Sequence, residues 1–244
     1  MDRKTVTDEV RLEIYDVLDD LKRRLLDGTV SWKTAKPRLL AIAEDRETIE
    51  QVGQKKHDLA EERRIAMEQF LRARGFPTLA VPKSDVSNRE FARREKLGQQ
   101  LFFMPFTTQA DYDTFMTSVG QATHWTVADQ AERAKIGWEF SEVGYWFWAE
   151  VAPNCPRIKT SWNTLTTQIR LLSLEEYVIV WHATKAETQV MLDHPTWCWL
   201  RSRYGGSGAL RADGYDGLVR VDGDDARVLS GTFDNDGGRS AEVV

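Results

Sequence analysis

The chain has few cysteines and no long apolar run. Only Cys155 and Cys198 occur among 244 residues, so we expect two buried thiols, with a single bridge as the alternative, and no disulfide framework. No run of about eighteen apolar residues exists, and the N-terminus MDRKTVTDEV lacks a signal-peptide core. We therefore expect a soluble protein without membrane insertion, cytoplasmic by default, with surface display by another route left open.

Motifs of catalysis and metal binding are also missing. The histidines, His57, His124, His182 and His194, never fall in a metal-like spacing with one another or with a cysteine. HExxH, CxxC, GxSxG, Walker and GxGxxG patterns do not occur. Cys155 lies in a proline-flanked loop, APNCPR, that has no nearby base. We therefore predict that the protein is not an enzyme and has no catalytic residue, metal or cofactor.

Two aspartate-rich runs resemble fragments of calcium loops. Residues 222–225 read DGDD and residues 234–237 read DNDG. Hard cations prefer several carboxylate and carbonyl oxygens on such flexible turns. Neither run has the complete loop with its closing bidentate glutamate, and aspartate and asparagine also form turns without a metal. Calcium binding is therefore an alternative to a simple turn.

Charge is neither strong nor clustered. The formal net charge is −5 and basic residues are scattered among acidic ones, so nucleic acid is not an expected partner. Residues 1–100 contain 21 Lys plus Arg, 19 Asp plus Glu and one tryptophan, whereas residues 101–244 contain 12, 19 and eight. This change in composition predicts a chain of two parts.

The N-terminal part has the periodicity of helices. Apolar residues recur every three or four positions over residues 7–27, and a second helix is expected from Ser31. Residues 44–74 continue this spacing with charged residues at the middle positions, as in a weak coiled coil. We expect a helical region over residues 1–78, either an oligomerising hairpin or a solvated helix packed on the first one. A polar connector with one possible helical turn follows over residues 79–100.

The part after residue 100 combines strand and helix signals. Residues 144–151, GYWFWAEV, alternate large aromatic side chains as a central strand does. Thr107 or Thr108 is a suitable cap for a helix through Met116, and HWTV from residue 124 is strand-like. Ser173 can begin another helix, with two glutamates in its first turn. These signals predict an α+β fold.

The C-terminal tail is rich in glycine and aspartate. Nine of the sixteen glycines lie between Gly205 and Gly238, while apolar residues such as Val219 and Val221 occur mainly at alternate positions. The segment opens with TWCWLRSRY and closes with GGRSAEVV. This pattern predicts short strands and turns whose loops carry the specificity.

Three stretches of the tail together resemble a known family. LSLEEYVIVWHATKAETQVMLDHPTWCWLRSRY, GALRADGYDGLVRVDGDDARVLSGTF and GGRSAEVV are similar to the variable proteins of diversity-generating retroelements, over residues 173–244 and back to about residue 123. The resemblance implies a C-type lectin-like domain over residues 101–244, related to the formylglycine-generating enzyme fold. It also implies that an error-prone reverse transcriptase mutates adenines in the coding segment, which makes residues 197–244 a hypervariable region.

The resemblance further implies which residues stay constant and which vary. The framework residues, expected to be buried or hydrogen-bonded, are Trp197, Trp199, Leu200, Arg201, Gly237, Gly238, Arg239, Ala241 and Glu242. The changeable, ligand-binding residues are Tyr204, Arg211, Asp213, Tyr215, Asp216, Leu218, Arg220, Asp222, Asp224, Asp225, Arg227, Ser230 and Thr232. The tyrosines suit aromatic anchors because they offer large contact area at low entropy cost. We expect a protein or surface ligand, with homo-oligomerisation through the N-terminal helices adding avidity.

Two departures limit what related proteins imply. Enzyme relatives use a reactive cysteine pair, which Cys155 and Cys198 do not match, so oxidase chemistry does not transfer. The sugar-binding triplets EPN and QPD are absent, and residues 162–164, WNT, only loosely resemble the WND motif. The alternative function is a fixed lectin-like saccharide or calcium binder, or an enzyme of the formylglycine-generating-enzyme-like fold.

Overall fold

The computed structural model describes residues 19–26, 28–29, 31–33, 35, 58–120, 130–224 and 228–244. Two units divide the chain, Met1–His57 and Asp58–Val244. In the first unit residues 19–26 are helical, as are residues 32, 33 and 35, which fall within the two predicted N-terminal helices. The remainder of those helices, residues 44–57 of the predicted long helix, and the strand predicted from residue 124 lie outside the described residues. No helix in the described ranges is both long and apolar enough to cross a membrane.

The second unit mixes helices and strands throughout. Its elements in chain order are α1 (Leu59–Arg72), α2 (Asn88–Lys96), β1 (Gln99–Met104), α3 (Gln109–Ser118), α4 (Gln130–Arg133), β2 (Ile136–Gly137), β3 (Tyr145–Glu150), α5 (Trp162–Gln168), α6 (Leu174–Thr188), β4 (Trp197–Tyr204), β5 (Gly208–Tyr215), β6 (Leu218–Asp224), β7 (Asp236–Gly238) and β8 (Ala241–Val243). The predicted α+β class is therefore confirmed.

Two sheets organise these elements. The first sheet has the order β1-β3-β8, with antiparallel pairing on both sides of β3. The second has the order β2-β4-β5-β6, and β7 pairs with β4 in parallel. Strand β3 lies within the predicted strand over residues 144–151, and its Trp146, Phe147 and Trp148 are all buried. The prediction of a central aromatic strand is therefore confirmed.

Helix α6 is the most buried helix of the second unit. Residues 178–181 are consecutive and have no exposed surface, so this helix is covered on every side. The hydroxyl of Ser173 accepts a hydrogen bond from the backbone N–H of Glu176, and the Glu176 carboxylate accepts one from the N–H of Ser173. This capping box confirms the predicted start of the helix.

Helix α3 begins at the second of the two predicted caps. The Thr108 hydroxyl accepts from the backbone N–H of Asp111, and the Asp111 carboxylate accepts from the N–H of Thr108. The helix continues two residues past its predicted end, to Ser118. Its Tyr112 and Phe115 are buried, so the helix packs on the core through these side chains.

The division of the chain differs from the predicted boundaries at residues 78 and 100. Helix α1 belongs to the second unit, because its Met67 and Leu71 are buried in the main core. The expected polar connector contains the nine-residue helix α2. Phe91 and Arg94 of α2 lie one turn apart and are both buried, while most of its other residues stay exposed. Although its composition is polar, α2 therefore packs one face against the rest of the unit.

A pair of substitutions on α1 tests its place in this core. Leu71→Ala should lower the free energy of unfolding by about 2–5 kcal/mol, because the side chain is fully buried. Ile65→Ala, on the same helix but 41% exposed, should cost less than about 1 kcal/mol. Urea unfolding of both variants measures the difference, and equal losses would show that α1 does not pack as described.

Candidate functional site

One face of the second sheet carries most of the predicted ligand-binding residues. Side chains alternate between the two faces of a strand, and β5 pairs with β6 without interruption. Three cross-strand pairs share the face: Arg211 with Asp222, Asp213 with Arg220, and Tyr215 with Leu218. The residues between them, such as Ala212, Val219 and Val221, are buried in the core. We call Arg211, Asp213, Tyr215, Leu218, Arg220, Asp222 and Asp224 the charged face.

Arg211 brings together two carboxylates of this face and one from β7. Its Nη2 lies 3.1 Å from Asp222, its Nε 2.9 Å from Asp224 and its Nη1 3.2 Å from Asp236 of β7. Burial alone would lower the pKa of Arg211, but these carboxylates raise it. Burial raises the pKa of Asp236 despite the nearby guanidinium. Asp222, Asp224 and Asp236, which belong to the two calcium-like runs, therefore surround an arginine.

Arg220 forms the second ion pair of the charged face. Its Nε lies 2.9 Å from an oxygen of Asp213, whose side chain is only 3% exposed, and its Nη2 contacts the other oxygen. The guanidinium of Arg220 also lies 4.8 Å from the ring centroid of Tyr215. Tyr215 is 51% exposed at the hairpin tip, where Asp216 and Gly217 both have positive φ. The predicted turn chemistry thus presents an accessible tyrosine.

Trp197 lies among the two arginines of the charged face. Its ring centroid is 4.7 Å from the guanidinium carbon of Arg211 and 4.4 Å from that of Arg220. Cation–π contacts of this kind contribute about 0.5–2 kcal/mol, more when they are shielded from water. Trp197 is half-buried, whereas Trp199 on the same strand is fully buried. A residue predicted as framework is therefore also part of this surface.

The other predicted ligand-binding residues lie elsewhere. Tyr204 packs against Gly223, where an added Cβ would approach the tyrosine ring to 2.6 Å, and its hydroxyl donates to Glu132. Tyr204 therefore belongs to the core side of the sheet and not to the charged face. Three further positions are exposed, Asp216 and Ser230 in turns and Thr232 in the segment before β7. Asp225 and Arg227 lie outside the described residues.

The framework glycines are fixed by close contacts. A Cβ at Gly237 would lie 2.3 Å from the carbonyl oxygen of Pro156, and one at Gly238 would lie 2.7 Å from a methyl carbon of Leu171. The contact at Gly237 is with backbone, so this position requires glycine, whereas a side chain at Gly238 would require the neighbouring leucine side chain to shift. Of the remaining framework residues, Trp199, Leu200, Arg239 and Ala241 are buried, Arg201 is half-buried and Glu242 is exposed.

Arg239, in the segment between β7 and β8, is a fully buried cation. Its guanidinium lies 2.6 and 2.9 Å from the two carboxylate oxygens of Asp193, which is also fully buried. Further hydrogen bonds run to the carbonyl oxygens of Glu150 and Ala152 at 3.0 and 2.6 Å. The Tyr177 hydroxyl donates to Asp193 at 2.9 Å. Although burial would lower the pKa of Arg239, its partners raise it, so the side chain stays charged.

Glu150 ties the closing segment of the chain to β3. Its carboxylate lies 2.6 and 2.8 Å from the two terminal nitrogens of Arg157 and accepts from the backbone N–H of Ser240 at 2.7 Å. Burial would raise the pKa of Glu150, but these donors lower it. Arg157 also donates to the carbonyl of Gly238 at 3.1 Å. The closing segment, which is predicted to stay constant, is thus held by two charged residues outside it, Glu150 and Arg157.

Cys155, Asp193 and Cys198 are the one group in the described part of the chain that could hold a metal ion. Their ligand atoms lie within 4.8 Å of one another and all three residues are buried. Burial and the neighbouring Cys198 thiol raise the pKa of Cys155. The Asp193 carboxylate already accepts hydrogen bonds from Arg239 and Tyr177. Both cysteines are free, so the prediction of two buried thiols is confirmed.

A second group of buried acids lies at the start of α6. The Glu176 carboxylate accepts from the Tyr145 hydroxyl at 2.8 Å and forms an ion pair with Arg170. The Glu175 carboxylate accepts from the backbone N–H of Glu139 at 2.8 Å, and burial raises the pKa of Glu175. The sequence indicated only helix capping for these glutamates. In the structure they also anchor the segments around β2 and β3 to α6.

Comparison with known proteins does not assign the chain to a family. No family model, no curated protein and no solved structure matches it. The residues of the charged face and their geometry are therefore the basis for a functional proposal.

Arg220→Ala tests whether the ion pairs of the charged face stabilise the sheet. We expect a loss of about 1–3 kcal/mol in the free energy of unfolding, because the buried Asp213 carboxylate would lose its partner. Arg203→Ala is the matched control. Arg203 also lies over a tryptophan, 4.4 Å from the Trp162 centroid, but forms no ion pair with a described residue. A similar loss for both variants, measured by urea unfolding, would contradict the role of the ion pair.

Glu150→Gln should remove a pH-dependent part of the stability. The folded-state pKa of Glu150 is lowered, so its contribution is present above the ordinary value of 4.5 and is lost as pH falls through the folded-state pKa. The variant should therefore be less stable than the wild type at neutral pH, and the difference should shrink as pH falls below the folded-state pKa of Glu150. Unfolding free energies across this range measure the effect, with the exposed Glu142→Gln as control. A difference that does not change with pH would contradict the assignment.

Proposed function

We propose that this chain is a non-enzymatic ligand-binding protein whose charged face is a hypervariable surface generated by a diversity-generating retroelement. The surface would belong to a C-type lectin-like domain over residues 101–244. One observation carries the proposal: the seven residues of the charged face occupy predicted changeable positions and share one side of a sheet. Because their strand neighbours point into the core, the surface can change while the core stays constant.

The exposed chemistry of this surface suits contact with a protein. Tyrosine, tryptophan and arginine are the residue types most often found at the energetic centres of protein interfaces. Tyr215 is 51% exposed, Trp197 is half-buried, and Arg220 lies against both rings. Phe233, in the segment before β7, is 40% exposed. These side chains offer apolar contact area beside fixed charges, which favours a polar protein surface as ligand.

The amino acids found between Leu200 and Ala241 are those expected if mutation changes only the first two positions of each codon. Lys, Glu, Gln, Met and Trp are the five amino acids whose codons all end in a purine. They account for 52 of the first 199 residues, yet none occurs between Leu200 and Ala241. Every residue of that stretch can therefore have a codon ending in a pyrimidine. When adenines at the first two positions of a codon that ends in a pyrimidine are replaced, the resulting amino acids never include Lys, Glu, Gln, Met or Trp. The absence of these five amino acids supports the proposed mechanism of variation.

The N-terminal region would supply avidity. We propose that the helical region expected over residues 1–78 supports a homo-oligomer through its part before α1, because α1 packs in the core of the second unit. Residues 19–26 in this part are helical. Weak individual contacts become effective when several sites engage one target, because the second binding event is intramolecular. An oligomer would therefore let a newly varied face bind a repetitive protein surface before its single-site affinity is high.

Sequencing of natural populations tests the proposed function. The segment encoding residues 197–244 should differ between sister genomes, with substitutions at adenines in the codons of the charged face. Codons of the buried Ala212, Val219 and Val221 should stay constant, because these side chains pack in the core. A near-identical repeat close to the gene should supply the template. A uniform segment without such a repeat would overturn the proposal.

A further inference from the structure

We propose that the charged face contains a guanidinium-binding cage, filled here by Arg211 and open to an arginine of a partner protein when position 211 carries a small residue. The cage is defined by four side chains, Trp197, Asp222, Asp224 and Asp236. The inference rests on the proposed function, because it requires that position 211 varies between sister proteins.

The cage recognises all parts of a guanidinium group. Each of the three nitrogens of Arg211 lies within ion-pair distance, 2.9 to 3.2 Å, of a different carboxylate. The contacts of Nη1 with Asp236 and of Nη2 with Asp222 are also hydrogen bonds. The guanidinium carbon of Arg211 lies over the Trp197 ring, 4.7 Å from the ring centroid. Charged hydrogen bonds in the plane and an aromatic ring over it are the two contacts that a guanidinium group makes best.

The four cage residues lie on other strands than Arg211, whose side chain fills the cage. Asp222 and Asp224 lie two residues apart on β6, Asp236 lies on β7 and Trp197 on β4, whereas Arg211 comes from β5. Backbone pairing of β5 with its neighbours does not depend on the side chain at position 211. Replacement of Arg211 therefore leaves the four cage residues on their own strands.

Charge makes an empty cage receptive to a cation. The Asp236 side chain is only 3% exposed, and without Arg211 it would be a buried carboxylate lacking its cation. The cage is nevertheless reachable, because the side chains of Arg211 and Asp222 are 20% and 26% exposed. A cation that enters from solvent would therefore replace an internal ion pair and not disturb the core.

The spacing of the carboxylates favours a planar organic cation over a metal ion. In the described ranges, the only three acid, cysteine or histidine residues whose ligand atoms lie within 4.8 Å of one another are Cys155, Asp193 and Cys198. The three cage aspartates are thus too widely spaced to converge on one ion, but they match the spread donors of a guanidinium group. An arginine side chain on a protein segment is the ligand that fits this arrangement.

The test uses the full chain and two small probes, N-acetyl-arginine amide and N-acetyl-citrulline amide. Citrulline has nearly the shape of arginine but carries a neutral urea group. We expect Arg211→Ala to bind the arginine probe at least about tenfold more tightly than the wild type does, by calorimetric titration. Arg203→Ala is the control, because it uncovers the Trp162 ring without leaving carboxylates that were paired with Arg203 in the described structure.

Saturable binding of the arginine probe by Arg211→Ala alone, with no binding of the citrulline probe, would support the cage. Equal binding by the three proteins, or equal binding of the two probes, would overturn it. If Arg211→Ala does not fold by itself, refolding with the arginine probe but not the citrulline probe supports the cage, and failure with both overturns it. A uniform coding segment would sink the proposed function without affecting these results, so the two failures are distinguishable.

Discussion

The buried ion pair of Arg239 and Asp193 is the interaction on which the arrangement of both sheets depends. Arg239 lies between β7 of the second sheet and β8 of the first, and its remaining hydrogen bonds reach the carbonyls at the end of β3. Asp193 lies just before β4, and Tyr177 of α6 donates to it. An unpaired charge at this depth would cost several kcal/mol, so these segments must meet in one geometry. The second sheet, which carries the charged face, therefore has a fixed position relative to the first.

Alternation along β5 and β6 separates two kinds of requirement. The core side needs small or aliphatic residues, because Gly214 and Gly223 lie under Trp181 and Tyr204 and have no room for a side chain. The charged face is more exposed, apart from the buried Asp213, and its main constraint is electrostatic. Arg211 and Arg220 together form ion pairs with four carboxylates from three strands. A change at either arginine therefore alters which residues its neighbours tolerate, so substitutions on this face are coupled between positions.

Local chemistry explains which elements were predictable. Ser173 and Thr108 begin helices because their hydroxyls accept a backbone hydrogen bond three residues ahead, which depends on a few neighbouring residues only. The alternation in β3, β5 and β6 likewise follows from strand geometry. Helix α2 was expected to be a polar connector, because one turn-spaced pair, Phe91 and Arg94, is too weak a signal beside its charged residues. Its burial depends on the presence of a sheet under it.

The sequence by itself determined the α+β class, the two helix caps and the aromatic central strand, since each follows from spacing along the chain. Only the tertiary structure decided how the residues of the charged face are used. It placed Trp197 among the two arginines, turned Tyr204 toward the core and gathered Asp236 with residues of β6 around Arg211. These contacts join strands far apart in sequence, so their distances and charges depend on sheet order and not on local pattern.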